Sequence, residues 1–134
     1  TAVTLSGNGV LMSYSLPANT LASDSQSIRV IGYGDHSGGS AILTVKFGVS
    51  GTTIHNDSVF SGTAWFVKII IKRISDVSAD VIVSTQGGDT NSNSIFTSLT
   101  SDISFSQLQS LQFTLTSYSS GSITQEGMLV EPLN

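Results

Sequence analysis

The stretch Ala64-Trp65-Phe66-Val67-Lys68-Ile69-Ile70-Ile71-Lys72-Arg73-Ile74 restricts the folds open to this chain more than any other. It holds the only tryptophan, a run of β-branched residues and three of the five basic side chains. Read with the two-residue period of a strand, it puts Trp65, Val67, Ile69 and Ile71 on one face, the core face. The other face reads Phe66, Lys68, Ile70, Lys72, Ile74, so apolar side chains alternate with lysines where a solvated face would be polar throughout. A strand apolar on both faces is central in a sandwich, covered by a loop, or buried against another copy of the protein. Burying Phe66 and Ile70 would contribute roughly 1.5–3 kcal/mol each. Self-association is therefore the first expectation, with Phe66, Lys68, Ile70 and Lys72 at the subunit interface.

A chain of 134 residues is one domain with room for a full hydrophobic core. Only 10% of its residues are charged, while Ser and Thr fill 39 positions, so its polarity is hydroxyl rather than ionic. Thr, Val and Ile suit a pleated surface, and the helix formers Lys, Glu and Ala are scarce. An all-β protein follows. The net charge of −4 argues against a nucleic-acid partner, which calls for a clustered basic surface. With no cysteine there is neither a disulfide framework nor thiol chemistry. No uncharged apolar block approaches the ~18 residues of a membrane helix, so no membrane insertion is expected. A start at Thr1 rather than Met reads as a processed protein or a segment of a longer one.

Taken in order, residues 1–8 read as a polar arm or a link to a preceding segment, ending in Gly7-Asn8-Gly9. Strands are expected over Val10–Leu16, Ser27–Gly34, Ala41–Phe47, Thr52–His55, Ala64–Ile74, Asp80–Gln86, Leu111–Leu115 and Ser122–Leu133. Pro17 stops the first of these, and Leu21 returns to the core. Gly32 and Gly34 within a strand signal a bulge or a close approach. Asp35–Ser40 and Gly87–Asn93 read as surface loops, and Ile95–Leu99 and Ile103–Phe105 as short or irregular pieces. Eight or nine short strands with no amphipathic helix make a single antiparallel β-sandwich or barrel over residues 1–134.

Four segments together resemble a known group of proteins. They are Tyr14-Ser15-Leu16-Pro17-Ala18-Asn19-Thr20-Leu21 with Ile28-Arg29-Val30; Val45-Lys46-Phe47-Gly48; Trp65 with its alternating strand; and Ile123-Thr124-Gln125-Glu126-Gly127-Met128-Leu129-Val130-Glu131. In this order and spacing they resemble bacteriophage virion structural proteins of the tail-fibre, spike or capsid-decoration type. The resemblance covers the first half and the last dozen residues, leaves Ser75–Ser110 unaligned, and departs from the family in the isoleucine-rich strand after Trp65. It implies a jelly-roll domain on the virion surface, commonly a homotrimer, touching other capsid or tail proteins and in some roles a host cell-surface glycan. It implies no cofactor and no enzymatic activity.

The residues that could do chemistry are few. Asp35-His36 and His55-Asn56-Asp57 alone combine acid–base or metal-ligand types, and an oxygen-rich cation site would need Asp35, Asp57 and Asp89 to converge. Asp and Asn favour turns on their own account, and that reading outweighs a metal site. No serine lies in a nucleophile-elbow context, and two loop histidines are a thin supply of bases, so catalysis is not expected. A sugar could stack on Tyr33, Tyr118 or Phe60, although an aromatic packed against a neighbouring strand is the commoner case. Tyr33, Asp35, His36, His55, Asp57 and Asp89 form the candidate recognition set. Lys68, Lys72 and Arg73 read as a boundary stripe pairing with Asp76 or Asp80. Glu126, placed by alternation on one face with Met128, is the candidate partner of Lys68 or Lys72 across a subunit interface. The alternative from another class is a carbohydrate-binding β-sandwich module of a secreted protein.

Overall fold

The structure is a computed structural model that describes residues 1–37, 41–59, 63–87, 91–116 and 121–133, with the side chains of 41, 57–59, 63, 87 and 91–93 left out. The described residues form ten strands: β1 (Val3–Leu5), β2 (Gly9–Leu16), β3 (Ser27–Ser37), β4 (Ala41–Gly48), β5 (Thr52–Val59), β6 (Thr63–Ser75), β7 (Ser78–Gly87), β8 (Asn91–Leu99), β9 (Gln109–Thr116) and β10 (Ser122–Pro132). They build two antiparallel sheets, one of six strands in the order β1-β10-β3-β6-β7-β8 and one of four in the order β2-β9-β4-β5.

Those orders define one long rolled hairpin. At its tip β4 pairs with β5, then β3 with β6, β2 with β9 and β1 with β10, with successive pairs alternating between the sheets. This nesting is a jelly roll. The β7–β8 hairpin is an insertion in its returning arm, and it widens one sheet by two strands. Two differences from the sequence reading follow. The supposed arm contains β1, which pairs with β10 from Val3–Gln125 to Leu5–Ile123. The supposed irregular piece around Ile95 is the second half of β8, a full edge strand.

Trp65, Val67, Ile69 and Ile71 of β6 face inward as the period requires, and Ile69 and Ile71 are completely buried. Each contributes roughly 1.5–3 kcal/mol on burial. Opposite them stand Leu111, Phe113 and Leu115 of β9 and Leu43, Val45 and Phe47 of β4, with the Trp65 and Phe113 rings 6.4 Å apart. The Phe113 ring explains Gly32: a Cβ there would lie 2.7 Å from its Cζ. At Gly34 a Cβ would collide with the carbonyl of Thr124, whose oxygen accepts from the Trp65 indole Nε1 at 3.2 Å, as does Asp35 O.

One end of the sandwich is plugged by Leu21, Ile103 and Phe105, all buried. Arg73 ties the plug down, donating to Leu21 O at 2.8 Å and to Asp24 Oδ1 at 3.0 Å while its guanidinium lies 5.8 Å from the centre of the Phe105 ring. At the β4–β5 turn Asp102 accepts from Ser50 N and from the Thr52 hydroxyl. Gly48, at φ 131, gives that carboxylate room, because a Cβ would sit 2.6 Å from its Oδ2. Chiefly through the Thr52 hydroxyl bond, the Asp102 carboxyl is held below its ordinary pKa.

Candidate assembly face

The outward face of the six-stranded sheet is built by the residues between the core positions of each strand. The pairing registers line them up in rows. One row runs Glu131–Arg29–Ile70–Ile82–Phe96, the next Leu129–Ile31–Lys68–Ser84–Ser94, and the third brings Tyr33 between Gly127 and Phe66. Phe66, Ile82, Phe96, Leu129 and Tyr33 are exposed there, and Ile31 and Ile70 are half-buried. Monomeric soluble proteins rarely leave so many contiguous apolar side chains open to water, and such surfaces mark sites of interaction.

Lys68 lies within this surface, half-buried, directly across from Ile31 and Ser84. The two ion pairs among the described residues are Arg29–Glu131 and Arg73–Asp24, so neither Lys68 nor Lys72 belongs to one. Lys72 stands opposite Asp80, but that carboxylate accepts from the Ser98 hydroxyl at 2.9 Å. Arg73 is no part of a stripe with the lysines, because its side chain runs to the plug and pairs with Asp24 rather than with Asp76 or Asp80.

Of the expected interface residues, Phe66, Lys68, Ile70 and Lys72 share this face. Met128 does not. The β3–β10 register shifts between Gln125 and Gly127, so Glu126 is the extra residue of a β-bulge. Beyond it every side chain changes face: Met128 pairs with Gly32 and packs on the core, while Leu129 turns outward. Glu126 is exposed at the bulge itself. The Tyr33 side chain lies over Gly127, where a Cβ would sit 2.5 Å from its hydroxyl oxygen.

The recognition set does not gather on loops. Tyr33, Asp35 and His36 belong to β3 and His55 and Asp57 to β5, because both strands run further than the turn-forming sequences suggest. Alternation then sends the histidines inward: His36 is 2% and His55 6% exposed. Neither His36 ring nitrogen has a hydrogen-bond partner among the described residues. Tyr33 and Asp35 are exposed, the Asp57 side chain is not described, and Asp89, Phe60 and Tyr118 lie outside the described residues. No group of three or more His, Asp or Glu side chains suited to a metal ion forms among the described residues.

Sequence reasoning missed Ile31, Ile82, Phe96 and Leu129 as members of the apolar face. A signal existed for Ile82, which alternates with Val81 and Val83 and sits opposite Ile70 once β6 and β7 are joined by the tight turn at Asp76-Val77. Comparison with protein-family models, curated proteins and solved structures yields no match to this chain.

Proposed function

We propose that this chain is a non-enzymatic structural module of a bacteriophage virion surface, a jelly roll that self-associates as a trimer. It serves as a capsid decoration, a head fibre or a domain of a tail fibre or spike, in contact with other virion proteins. The observation that carries this reading is the outward face of the six-stranded sheet, where Ile31, Tyr33, Phe66, Ile70, Ile82, Phe96 and Leu129 stand together. Such a face suits an assembling shell or fibre module, which buries it against its copies. The resemblance of the Trp65 strand and the closing Ile123–Glu131 segment to virion proteins supplies the setting. An antibody raised against the purified chain should decorate intact phage particles in electron micrographs. Bare particles, with the antigen confined to the soluble exoprotein fraction, would sink the virion assignment.

A second reading has one observation in its favour. Tyr33 and Phe66 are directly paired across β3 and β6 and both are exposed, so two aromatic side chains are open to solvent on one sheet face. That arrangement suits stacking against a sugar, as in a carbohydrate-binding module or a receptor-binding tip. Glycan-array binding that disappears in Tyr33→Ala while the oligomer persists would establish it.

A further inference from the structure

A sandwich of two open sheets has four edges, and in this chain three of them are managed. β1 is three residues long. β2 bends at a register shift between Val10 and Ser13, and β1 packs beside it. β5 carries a register shift opposite Val45 and Lys46, contains an aspartate, and lies over β7 to close the sandwich. Short length, charge, proline and bulges are the devices that keep edges from pairing.

β8 has none of them. It is nine residues long, pairs with β7 without a break from Ala79–Leu99 to Gly87–Asn91, and contains no charged residue and no proline. It also overhangs. The four-stranded sheet ends with β5 over β7, and of the described apolar side chains of β8 Leu99 packs on the core while Ile95 and Phe96 stay exposed. Ile95, on the core side, is 38% exposed and Phe96, on the outward side, 62%.

We infer that β8 is a strand-pairing edge and that its occupant is the β8 strand of a second copy, antiparallel, on a two-fold axis through Ile95. The strand is its own complement. Two identical antiparallel strands related by a two-fold must place paired residues on the same face, which requires the axis to pass through a residue position. Ile95 is the midpoint of Asn91–Leu99, so an axis there pairs the whole strand. Ile95 then meets Ile95 in the space that neither four-stranded sheet covers, and Phe96 lies across from the partner's Ser94. No charge meets a like charge, because β8 has none and the nearby Asp80 carboxylate is engaged by Ser98. About eight backbone hydrogen bonds would join the two sheets into one. This contact depends neither on the virion setting nor on the trimer, and it uses a different part of the molecule from Ile70.

The chain has no cysteine, so single cysteines can report the register. In Ile95→Cys the two β-carbons would stand about 4.5–5.5 Å apart, within slight adjustment of a disulfide. In Ser98→Cys they would be about 20 Å apart along the strands. Under mild oxidation Ile95→Cys should convert to covalent dimer at least tenfold faster than Ser98→Cys, and should still do so when combined with Ile70→Asp. Ile95→Lys and Ile95→Glu chains should each lose the contact alone and regain it when mixed. Equal cross-linking rates for the two cysteine positions, or amide exchange in 91–99 that is independent of protein concentration, would overturn the inference. Loss of the trimer with retention of Ile95→Cys cross-linking would leave it standing.

Discussion

The two outward faces of this sandwich are finished differently. On the four-stranded sheet, the Thr44 hydroxyl donates to Asn56 Oδ1 at 2.7 Å and lies 2.8 Å from the Thr116 hydroxyl, and Thr114 donates to Thr44 O. Short hydroxyl side chains satisfy one another across three strands there. On the six-stranded sheet, the equivalent positions hold Ile31, Tyr33, Phe66, Ile70, Ile82, Phe96 and Leu129, with Lys68 among them. Both faces belong to one small, weakly charged domain, so composition alone does not explain the contrast. On one face the hydroxyls of the buried Thr44 and Thr114 are paired within the chain, and the other leaves contiguous apolar side chains exposed.

The sharpest way to test that contrast stays within a single strand. Ile69→Ala empties a fully buried site and should cost about 2–5 kcal/mol in urea unfolding. Its neighbour Ile70→Ala should cost the dissociated chain less than about 1 kcal/mol, as surface substitutions do, while weakening association. Equal losses at the two positions in a monomer would mean that the outward side of β6 is already covered within the chain.

Much of this contrast could be read from the sequence, and the reasons for the exceptions are physical. β6 is flanked by strands on both sides and covered on one face, so its period of two survives intact and names both the core residues and Phe66, Lys68, Ile70 and Lys72. β8 shows a weaker period, because only its Leu99 end packs on the core, and Ile95 and Phe96 sit side by side. In β10 the bulge at Glu126 reverses the alternation, so Met128 was placed outward when it lies against the core. The local mark of that bulge is Gly127, a glycine within the strand next to Glu126, but its effect on the faces shows only in the pairing with β3. His36 and His55 read as loop residues because glycine, serine and asparagine surround them. Their burial depends on where β3 and β5 end, which pairing with β6, β10 and β4 decides.

A pair of exchanges should separate stability from assembly. Thr44→Val removes the hydroxyl that serves Asn56 and Thr116 and should cost about 1 kcal/mol with association unchanged. Ile82→Thr on the other face should leave the unfolding midpoint of the dissociated chain within about 0.5 kcal/mol and raise the dissociation constant several-fold. Reversal of these two outcomes would break the comparison.

The smallest expected effect lies away from both faces, at Asp102. Its pKa is lowered in the folded chain, chiefly by the Thr52 hydroxyl, so ionised Asp102 stabilises the β4–β5 turn. A lowered folded-state value means that this contribution is complete above the ordinary aspartate value of about 4 and fades as pH falls below it. Urea midpoints measured at about pH 6 and about pH 3 should fall less in Asp102→Asn than in the parent. An identical acid-induced fall in both would remove Asp102 from the account.

The central claim is that the outward face of the six-stranded sheet is buried between copies, and the most direct measurement is the solution mass by light scattering behind a sizing column. With Ile95→Lys in place to remove the β8 contact, the chain should elute as a trimer, and as a monomer, still folded by circular dichroism, once Ile70→Asp is added. A monomeric Ile95→Lys chain across the micromolar range, indistinguishable from the folded double variant, would contradict the claim.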